Sequence, residues 1–216
     1  MAPTGVPSWS RASARRDYMV NRSADAAGPD DAGHVRGLEG AGAAVYRGQA
    51  RIVEPGQVEV SHDDAVHLVR ATHVVVAVGS VSKVPPLDGL AEIPYWTNRD
   101  ATLARELPRS LLVLGGGPTG CELAQVYARF GVPTTIVQSG PRLAPTDHPR
   151  NSEAIAVALA AAGVTIRLGV RAVRAEAGGG ADGAHRIHLG DGSVADGHAI
   201  LLAVGRDFVE IFDDDR

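Results

Sequence analysis

A glycine-rich run in the middle of the chain has the sequence Leu111-Leu112-Val113-Leu114-Gly115-Gly116-Gly117-Pro118-Thr119-Gly120-Cys121-Glu122. Its four apolar residues have the length and composition of a buried parallel strand. Three glycines with G-x-G-x-x-G spacing follow, at positions 115, 117 and 120, and a helical pattern begins directly after them. A strand, this turn and a helix in that order predict a dinucleotide-binding unit.

Each of the three glycines has its own physical reason. Gly115 allows a tight turn out of the strand, Gly117 has no Cβ to block a pyrophosphate, and Gly120 lets the helix pack closely on the strand. Pro118 and Thr119 lie between these glycines, where the first helical N–H groups and the positive end of the helix dipole favour an anion. We therefore expect these five residues to bind a dinucleotide.

The context of the motif separates it from a second occurrence at 178–183. That second match follows a charged segment and precedes no apolar helical pattern, which predicts a flexible hairpin tip. After Gly120, in contrast, apolar residues fall on one face of a helix and a β-branched run follows at 134–137. The result is a strand–helix–strand crossover unit. The residues on that helical face are Leu123, Val126, Tyr127 and Phe130.

Composition limits the function classes. The chain has 216 residues, 44% of them hydrophobic and 21% charged, as in a globular protein. It has no apolar run long enough to span a membrane, and no apolar core follows its first arginines, so we expect a cytoplasmic protein without a membrane partner. The net charge of −4 is mild and spread out, which favours no nucleic-acid partner. Cys121 is the only cysteine, which excludes an internal disulfide and a cysteine metal cluster.

The first half of the chain has weaker patterns. Residues 1–34 are predicted to be polar and partly disordered, with a short helix at 11–20. Strand-like pieces between 45 and 60 predict a small antiparallel meander. His73–Ala77 is predicted to be a strongly buried strand, and it leads to Gly79-Ser80.

The second half is predicted to continue as α/β structure. We expect a short helix at 97–107 and a second crossover helix that is ended by Gly163. A third strand, a three-stranded meander and a final buried strand at 199–204 complete the pattern. That last strand ends in Ala-Val-Gly, as the segment before Ser80 does.

Taken together, four motifs resemble those of the flavin-dependent pyridine nucleotide–disulfide oxidoreductases, the family of dihydrolipoamide dehydrogenase, glutathione reductase and mercuric reductase. The resemblance covers roughly residues 35–206. The motifs are Ala77-Val78-Gly79-Ser80, Pro85-Pro86-Leu87-Asp88-Gly89-Leu90, Leu114 to Glu122, and Ala203-Val204-Gly205-Arg206.

The resemblance implies a fold and its cofactors. In that family a Rossmann-like NAD(P)-binding domain, with a parallel sheet, two helices and a β-meander, is inserted into an FAD domain. Residues 108–206 would be the NAD(P)H-binding domain, 35–107 an incomplete FAD-domain segment, and 207–216 an acidic tail. Gly79 and Ser80 would lie near FAD, Gly205 near the nicotinamide nucleotide, and Glu122 beside the stack of nicotinamide and flavin.

The departures from the family pattern concern its redox and dimer machinery. The sequence has no N-terminal strand and glycine turn for FAD, no Cys-x4-Cys pair and no C-terminal dimerisation domain. It therefore resembles a member truncated at both ends, without the homodimer interface, and we assign no catalytic residue. We expect a fragment that retains the NAD(P)H site. The alternatives are a non-catalytic nucleotide-binding module, or an inactive remnant that needs a partner chain.

The choice between NAD and NADP stays open, with a weak preference for NADP. Gln138 stands where NAD-specific sites place an acidic residue, and Arg142 could reach a 2′-phosphate. Cys121 begins a helix, where a thiol pKa can be lowered, but a small core residue is the favoured interpretation. His62–His67 is predicted to be a solvated turn, and we assign no metal site.

Overall fold

A computed structural model describes residues 8–21 and 30–208. It forms two compact units: residues 16–81 make one, and residues 82–206, with the start of the first helix, make the other. No helix in the described ranges combines the length and the apolar composition needed to cross a membrane.

Helices and an antiparallel sheet occupy the first half of the chain. Helix α1 spans Trp9–Asn21 and α2 spans Ala32–Gly40, while strands β1 (Gln49–Glu54), β2 (Gln57–His62) and β3 (Ala65–Arg70) pair in the order β1-β2-β3. The predicted helix at 11–20 is confirmed. The predicted antiparallel meander is confirmed from β1 onward, but its first predicted piece, at 45–46, forms no strand. Strand β3 was not predicted, and α2 begins inside the predicted polar segment, of which 1–7 and 22–29 lie outside the described residues.

The prediction of a buried strand at His73–Ala77 is wrong. The segment forms no strand, and Val75 is 89% exposed, with Val74 and Val76 also exposed. A strand that is apolar on both sides is stable only between neighbouring strands and covering layers. The antiparallel sheet β1-β2-β3 of this unit does not include the segment.

The other unit contains the predicted crossover pattern. Its elements in chain order are β4 (Ser80–Ser82), β5 (Tyr95–Trp96), α3 (Asn98–Leu103), β6 (Leu111–Leu114), α4 (Pro118–Arg129), β7 (Thr134–Gln138), α5 (Pro149–Ala161), β8 (Thr165–Leu168), β9 (Ala172–Glu176), β10 (His185–Leu189), β11 (Val194–Gly197), β12 (Ala199–Leu202) and β13 (Arg206–Phe208). Of β4 and β13, only Ser82 and Arg206 belong to this unit.

A five-stranded parallel sheet lies at the centre of this unit, in the order β5-β12-β6-β7-β8. All four residues of β6 and all four of β12 are buried. Such runs are expected where both faces of a sheet are covered. The predicted parallel sheet and its two main helices are confirmed.

Alternate residues of the buried strands face two different layers, because successive side chains point to opposite sides of a sheet. Leu111 and Val113 pack with Tyr127 of α4 and Leu159 of α5. Leu112 and its same-face neighbours pack with residues of the meander β9-β10-β11, including Ile187 and Leu189. The sheet therefore has helices on one face and the meander on the other.

The start of α1 is anchored to this unit by an aromatic contact that the sequence did not suggest. The ring of Trp9 lies 5.3 Å from the ring of Tyr127 and 5.0 Å from that of Phe130, measured between centroids. The Tyr127 hydroxyl donates to the carbonyl oxygen of Ala101 at 2.8 Å, which ties α4 to α3. Aromatic contacts of this kind fix the end of α4 against its neighbours.

Candidate functional site

A groove of about 760 Å³ lies at the carboxyl ends of the central strands. The chain passes from β6 to β7 and β8 on one side, whereas β12 and β5 lie on the other side of β6. The last residues of β6 and β12, Leu114 and Leu202, both line the groove. In an open parallel sheet, ligands bind in the crevice where neighbouring connections leave in opposite directions.

The glycine turn after β6 forms one wall of the groove, and its glycines meet different surroundings. Gly115 has a φ of +108°, and a Cβ built there would lie 2.3 Å from the carbonyl oxygen of Ala203. A Cβ at Gly120 would lie 2.1 Å from the carbonyl oxygen of Gly115. At Gly117 such an atom would meet nothing within 4 Å. Packing therefore requires two of the glycines, while the third leaves open space in the groove wall.

Helix α4 points its N-terminus at this open space. Gly117 is its N-cap residue, Pro118 occupies the first turn, and the Cys121 N–H donates to the Gly117 carbonyl oxygen at 3.0 Å. Thr119 and Gly120 come before Cys121 in the first turn, so their N–H groups have no acceptor within the helix. These donors and the positive end of the helix dipole suit a phosphate group.

The charge of the groove also suits an anionic ligand. Among the described residues that line it there is no aspartate or glutamate, but there are two arginines, Arg171 and Arg206. Arg206 donates to Asn98 Oδ1 at 3.1 Å, and the Ser82 hydroxyl donates to the same oxygen at 2.9 Å. Nearby, the carbonyl oxygen of Gly205 accepts from the Lys83 N–H at 3.0 Å. A pyrophosphate would meet no carboxylate in this groove.

Gln138 ends β7 and supports the glycine turn. Its side chain is 8% exposed, and its Oε1 accepts from the Gly116 N–H at 2.9 Å. A Cβ at Gly140 would lie 3.0 Å from Gln138 Nε2, so both ends of the amide are closely surrounded. The residue lines the groove where sequence reasoning placed it, but its carbonyl oxygen is engaged by the protein.

Arg142 and Glu122 lie outside the lining of the groove. The Arg142 guanidinium donates to the carbonyl oxygens of Pro145 at 2.6 Å and Asp147 at 2.8 Å, which holds its own loop together. Glu122 is exposed and lines a smaller cavity of about 300 Å³ with residues of α4 and α5. The predicted contacts of these two residues with a nucleotide stay predictions.

Cys121 is a core residue. Its thiol donates to the Gly116 carbonyl oxygen at 3.4 Å, and the side chain packs with Ala124 and Tyr127. Burial raises the pKa of the Cys121 thiol. The suggestion that the helix start lowers this pKa is therefore wrong, because burial disfavours the charged thiolate.

Gly79 and Ser80 belong to the unit of residues 16–81. Gly79 has a φ of +70° and follows the exposed segment that contains Val75. The described part of this unit has an antiparallel sheet and helices but no strand, glycine turn and helix of the kind seen at 111–129. Among the described residues, Gly79 and Ser80 are therefore not part of a glycine turn of that kind, and their proximity to FAD stays a prediction.

Sequence reasoning missed Arg171 as a groove residue. It lies in the loop between β8 and β9, and β8 pairs with β7 in parallel. Because parallel neighbours end at the same edge of a sheet, the loop after β8 lies beside the end of β7. The pairing of β8 with β7 was the signal that could have placed Arg171 in the groove. Its use requires the strand order of the sheet.

A parallel sheet with a glycine turn at its carboxyl edge defines a Rossmann-like dinucleotide-binding fold. The profile of the pyridine nucleotide–disulphide oxidoreductases matches residues 11–212. The chain therefore belongs to this family of FAD-dependent oxidoreductases. The family as a whole uses FAD and NAD(P)H.

Individual relatives agree with the family assignment. The chain is 34% identical over 156 residues to dihydrolipoyl dehydrogenase of Chlorobaculum tepidum, covering 70% of this chain and 33% of that protein. It is 33% identical over 171 residues to mercuric reductase of Streptomyces lividans, covering 75% and 34%. The HOCl-induced flavoprotein disulfide reductase RclA from Escherichia coli superposes with a TM-score of 0.67 at 25% identity, covering 77% and 37%. The chain thus spans about a third of the length of these relatives.

Proposed function

We propose that residues 108–206 bind NAD(P)H along the groove, with the pyrophosphate at the N-terminus of α4. The open space at Gly117, at the carboxyl edge of the parallel sheet, carries this proposal. Gly115 and Gly120 shape the turn around that space, while Pro118 and Thr119 continue its wall. The nucleotide would extend from the end of β7 to Gly205.

Within the family, this domain would serve an FAD- and NAD(P)H-dependent oxidoreductase. The nicotinamide supplies a hydride, and the residues of this chain bind and orient the nucleotide. The domain would be inserted after an FAD-domain segment at 35–107. Residues 82–107 pack in the same compact unit as the groove. The proposed boundary at Pro108 therefore follows the domain organisation of the family and not the division into compact units.

A second candidate function is a nucleotide-binding module that depends on a partner chain. The exposed apolar segment around Val75 favours it, because the segment has the composition of a strand and lacks a sheet. A partner that contributes the rest of an FAD domain would cover these side chains, each worth about 1.5–3 kcal/mol on burial. The buried single cysteine, Cys121, also gives this chain no disulfide of its own.

Calorimetric titration of the full chain with NADPH and NADH tests the nucleotide site. We expect micromolar binding of at least one nucleotide, and loss of that binding in Gly117→Val, whose side chain fills the space that the pyrophosphate needs. The backbone at Gly117 has a φ of −75°, which valine can adopt, so we expect the variant to fold. Gly37→Val, in α2, is the matched control, because its Cβ also meets nothing within 4 Å.

The proposal is wrong if folded wild-type protein binds neither nucleotide, or if Gly117→Val binds as tightly as wild type. An absorbance spectrum of the same sample separates the two candidates. Bound flavin in purified protein supports an oxidoreductase with a usable FAD site. Its absence, together with nucleotide binding, supports the module.

A further inference from the structure

We infer that Arg171, with the hydroxyl of Ser139, selects the 2′-phosphate of NADP(H). This inference rests on the proposed nucleotide site and assigns a residue from the loop between β8 and β9 to the recognition of its adenosine end. Both side chains are exposed, and both line the groove.

Backbone hydrogen bonds hold Arg171 beside the end of β7. The Gly169 N–H donates to the Gly140 carbonyl oxygen at 2.9 Å, and the Val170 N–H donates to the Gln138 carbonyl oxygen at 3.3 Å. On the other side, the Arg171 carbonyl oxygen accepts from the Gly190 N–H at 2.8 Å. The loop is therefore fixed at the point where dinucleotide-binding folds meet the adenosine ribose.

The guanidinium of Arg171 is available to a ligand. It forms no hydrogen bond or ion pair with any side chain or backbone group in the described parts of the chain. A phosphate monoester carries close to two negative charges at neutral pH, and arginine binds such groups through two parallel N–H donors. The Ser139 hydroxyl adds a third donor at the same end of the groove.

The other candidates at this end are already engaged. Gln138 accepts from the glycine turn, and Arg142 clamps the loop at 145–147. NAD-specific sites bind the ribose 2′-hydroxyl with a carboxylate, and no carboxylate among the described residues lines this groove. Arg206, the second arginine of the lining, is held by Asn98. The arrangement thus favours a phosphate over a free hydroxyl.

Calorimetry of the full chain tests this inference with four probes: NADPH, NADH, adenosine 2′,5′-bisphosphate and AMP. We expect wild type to bind NADPH at least about tenfold more tightly than NADH, and adenosine 2′,5′-bisphosphate at least about tenfold more tightly than AMP. Arg171→Ala should weaken NADPH about tenfold or more and change NADH less than about twofold. Arg171→Lys should keep part of the preference, because the charge remains and the bidentate geometry is lost.

Arg150→Ala is the matched control, since Arg150 is exposed and lies outside the groove lining, and it should bind all four probes as wild type does. Unfolding temperatures of the variants check that each one is folded, and Arg171→Gln replaces the alanine variant if that one is not. This inference is overturned if Arg171→Ala loses affinity for NADPH and NADH equally, or if wild type binds both equally tightly. Either result is still consistent with the proposed nucleotide site. Failure of wild type to bind any of the four probes overturns both.

Discussion

Strand β6 and the segment around Val75 have similar apolar sequences, yet β6 is fully buried and Val75 is 89% exposed. Strand β6 pairs with β7 and β12 and lies between two layers, whereas the other segment joins no sheet among the described residues. The hydrophobic effect acts only where a neighbour removes the side chain from water. The comparison shows that an apolar run specifies a buried strand only together with the elements that cover it.

A similar contrast exists within the glycine turn. Gly120 has the Gly115 carbonyl oxygen where its Cβ would be, and Gly117 has empty space there. Gly120 is therefore needed for packing, whereas we propose that Gly117 is needed for ligand binding. Variants at these positions, and at the two apolar runs, can therefore separate stability from binding.

Gly120→Val should have the largest effect on folding. Its Cβ would lie 2.1 Å from backbone, so α4 must move away from β6. We expect a loss of at least about 4 kcal/mol in the free energy of unfolding of the sheet unit, as for severe core clashes. Circular dichroism with urea denaturation measures it. A variant as stable as wild type would contradict the close contact.

Val113→Ala and Val75→Ala form a matched pair of smaller effect. Val113 has no exposed surface, and removal of its buried methyl groups should cost about 1.5–3 kcal/mol. Val75 is almost fully exposed, and its replacement should change stability by less than about 0.5 kcal/mol. Urea denaturation compares the two. Equal costs would mean that the segment around Val75 is covered in solution.

The smallest effect concerns acid stability. The Glu176 carboxylate accepts a hydrogen bond from His188 at 2.7 Å and one from Arg174 at 3.3 Å. These partners hold the pKa of the Glu176 carboxyl below its ordinary value, and the bond from His188 has the larger effect. A carboxyl whose pKa is lowered by folding stabilises the folded state at pH values above its ordinary pKa, which is about 4. This contribution is lost as the pH falls through the lowered pKa. The groups are largely exposed, so the gain is small.

Unfolding temperatures at pH 6 and pH 3 measure this acid effect. Glu176→Gln should narrow the difference slightly, because its side chain does not titrate. Asp31→Asn is the comparison in the other unit, where Arg47 lowers the pKa of the Asp31 carboxyl in the same way. An unchanged acid sensitivity in Glu176→Gln would remove the proposed contribution.

The crossover unit could be predicted from sequence because its signals are local. The strand β6, the glycine turn and the face of α4 are encoded by consecutive residues, and Gly131 ends the helix with a φ of +85°. The buried strand at His73–Ala77 could not be judged in this way. Its burial depends on strands that are distant in sequence, and composition does not show whether they are present.

The lining of the site was harder to predict than the turn. Gln138 was located correctly at the end of β7, but its bond to the Gly116 N–H depends on how closely the turn approaches that strand. Arg171 enters the groove only because β8 lies next to β7. Both facts follow from strand order and register, which a single sequence does not specify.

Mapping of backbone amide shifts by NMR during a titration with NADPH tests the central claim most directly. The account predicts the largest shifts at Thr119 and Gly120, with further shifts at Gly205 and in the loop of Arg171. It predicts no specific shifts in the antiparallel sheet at 49–70. Shifts confined to that sheet, or none in folded protein, would contradict a nucleotide site at the carboxyl edge of the parallel sheet.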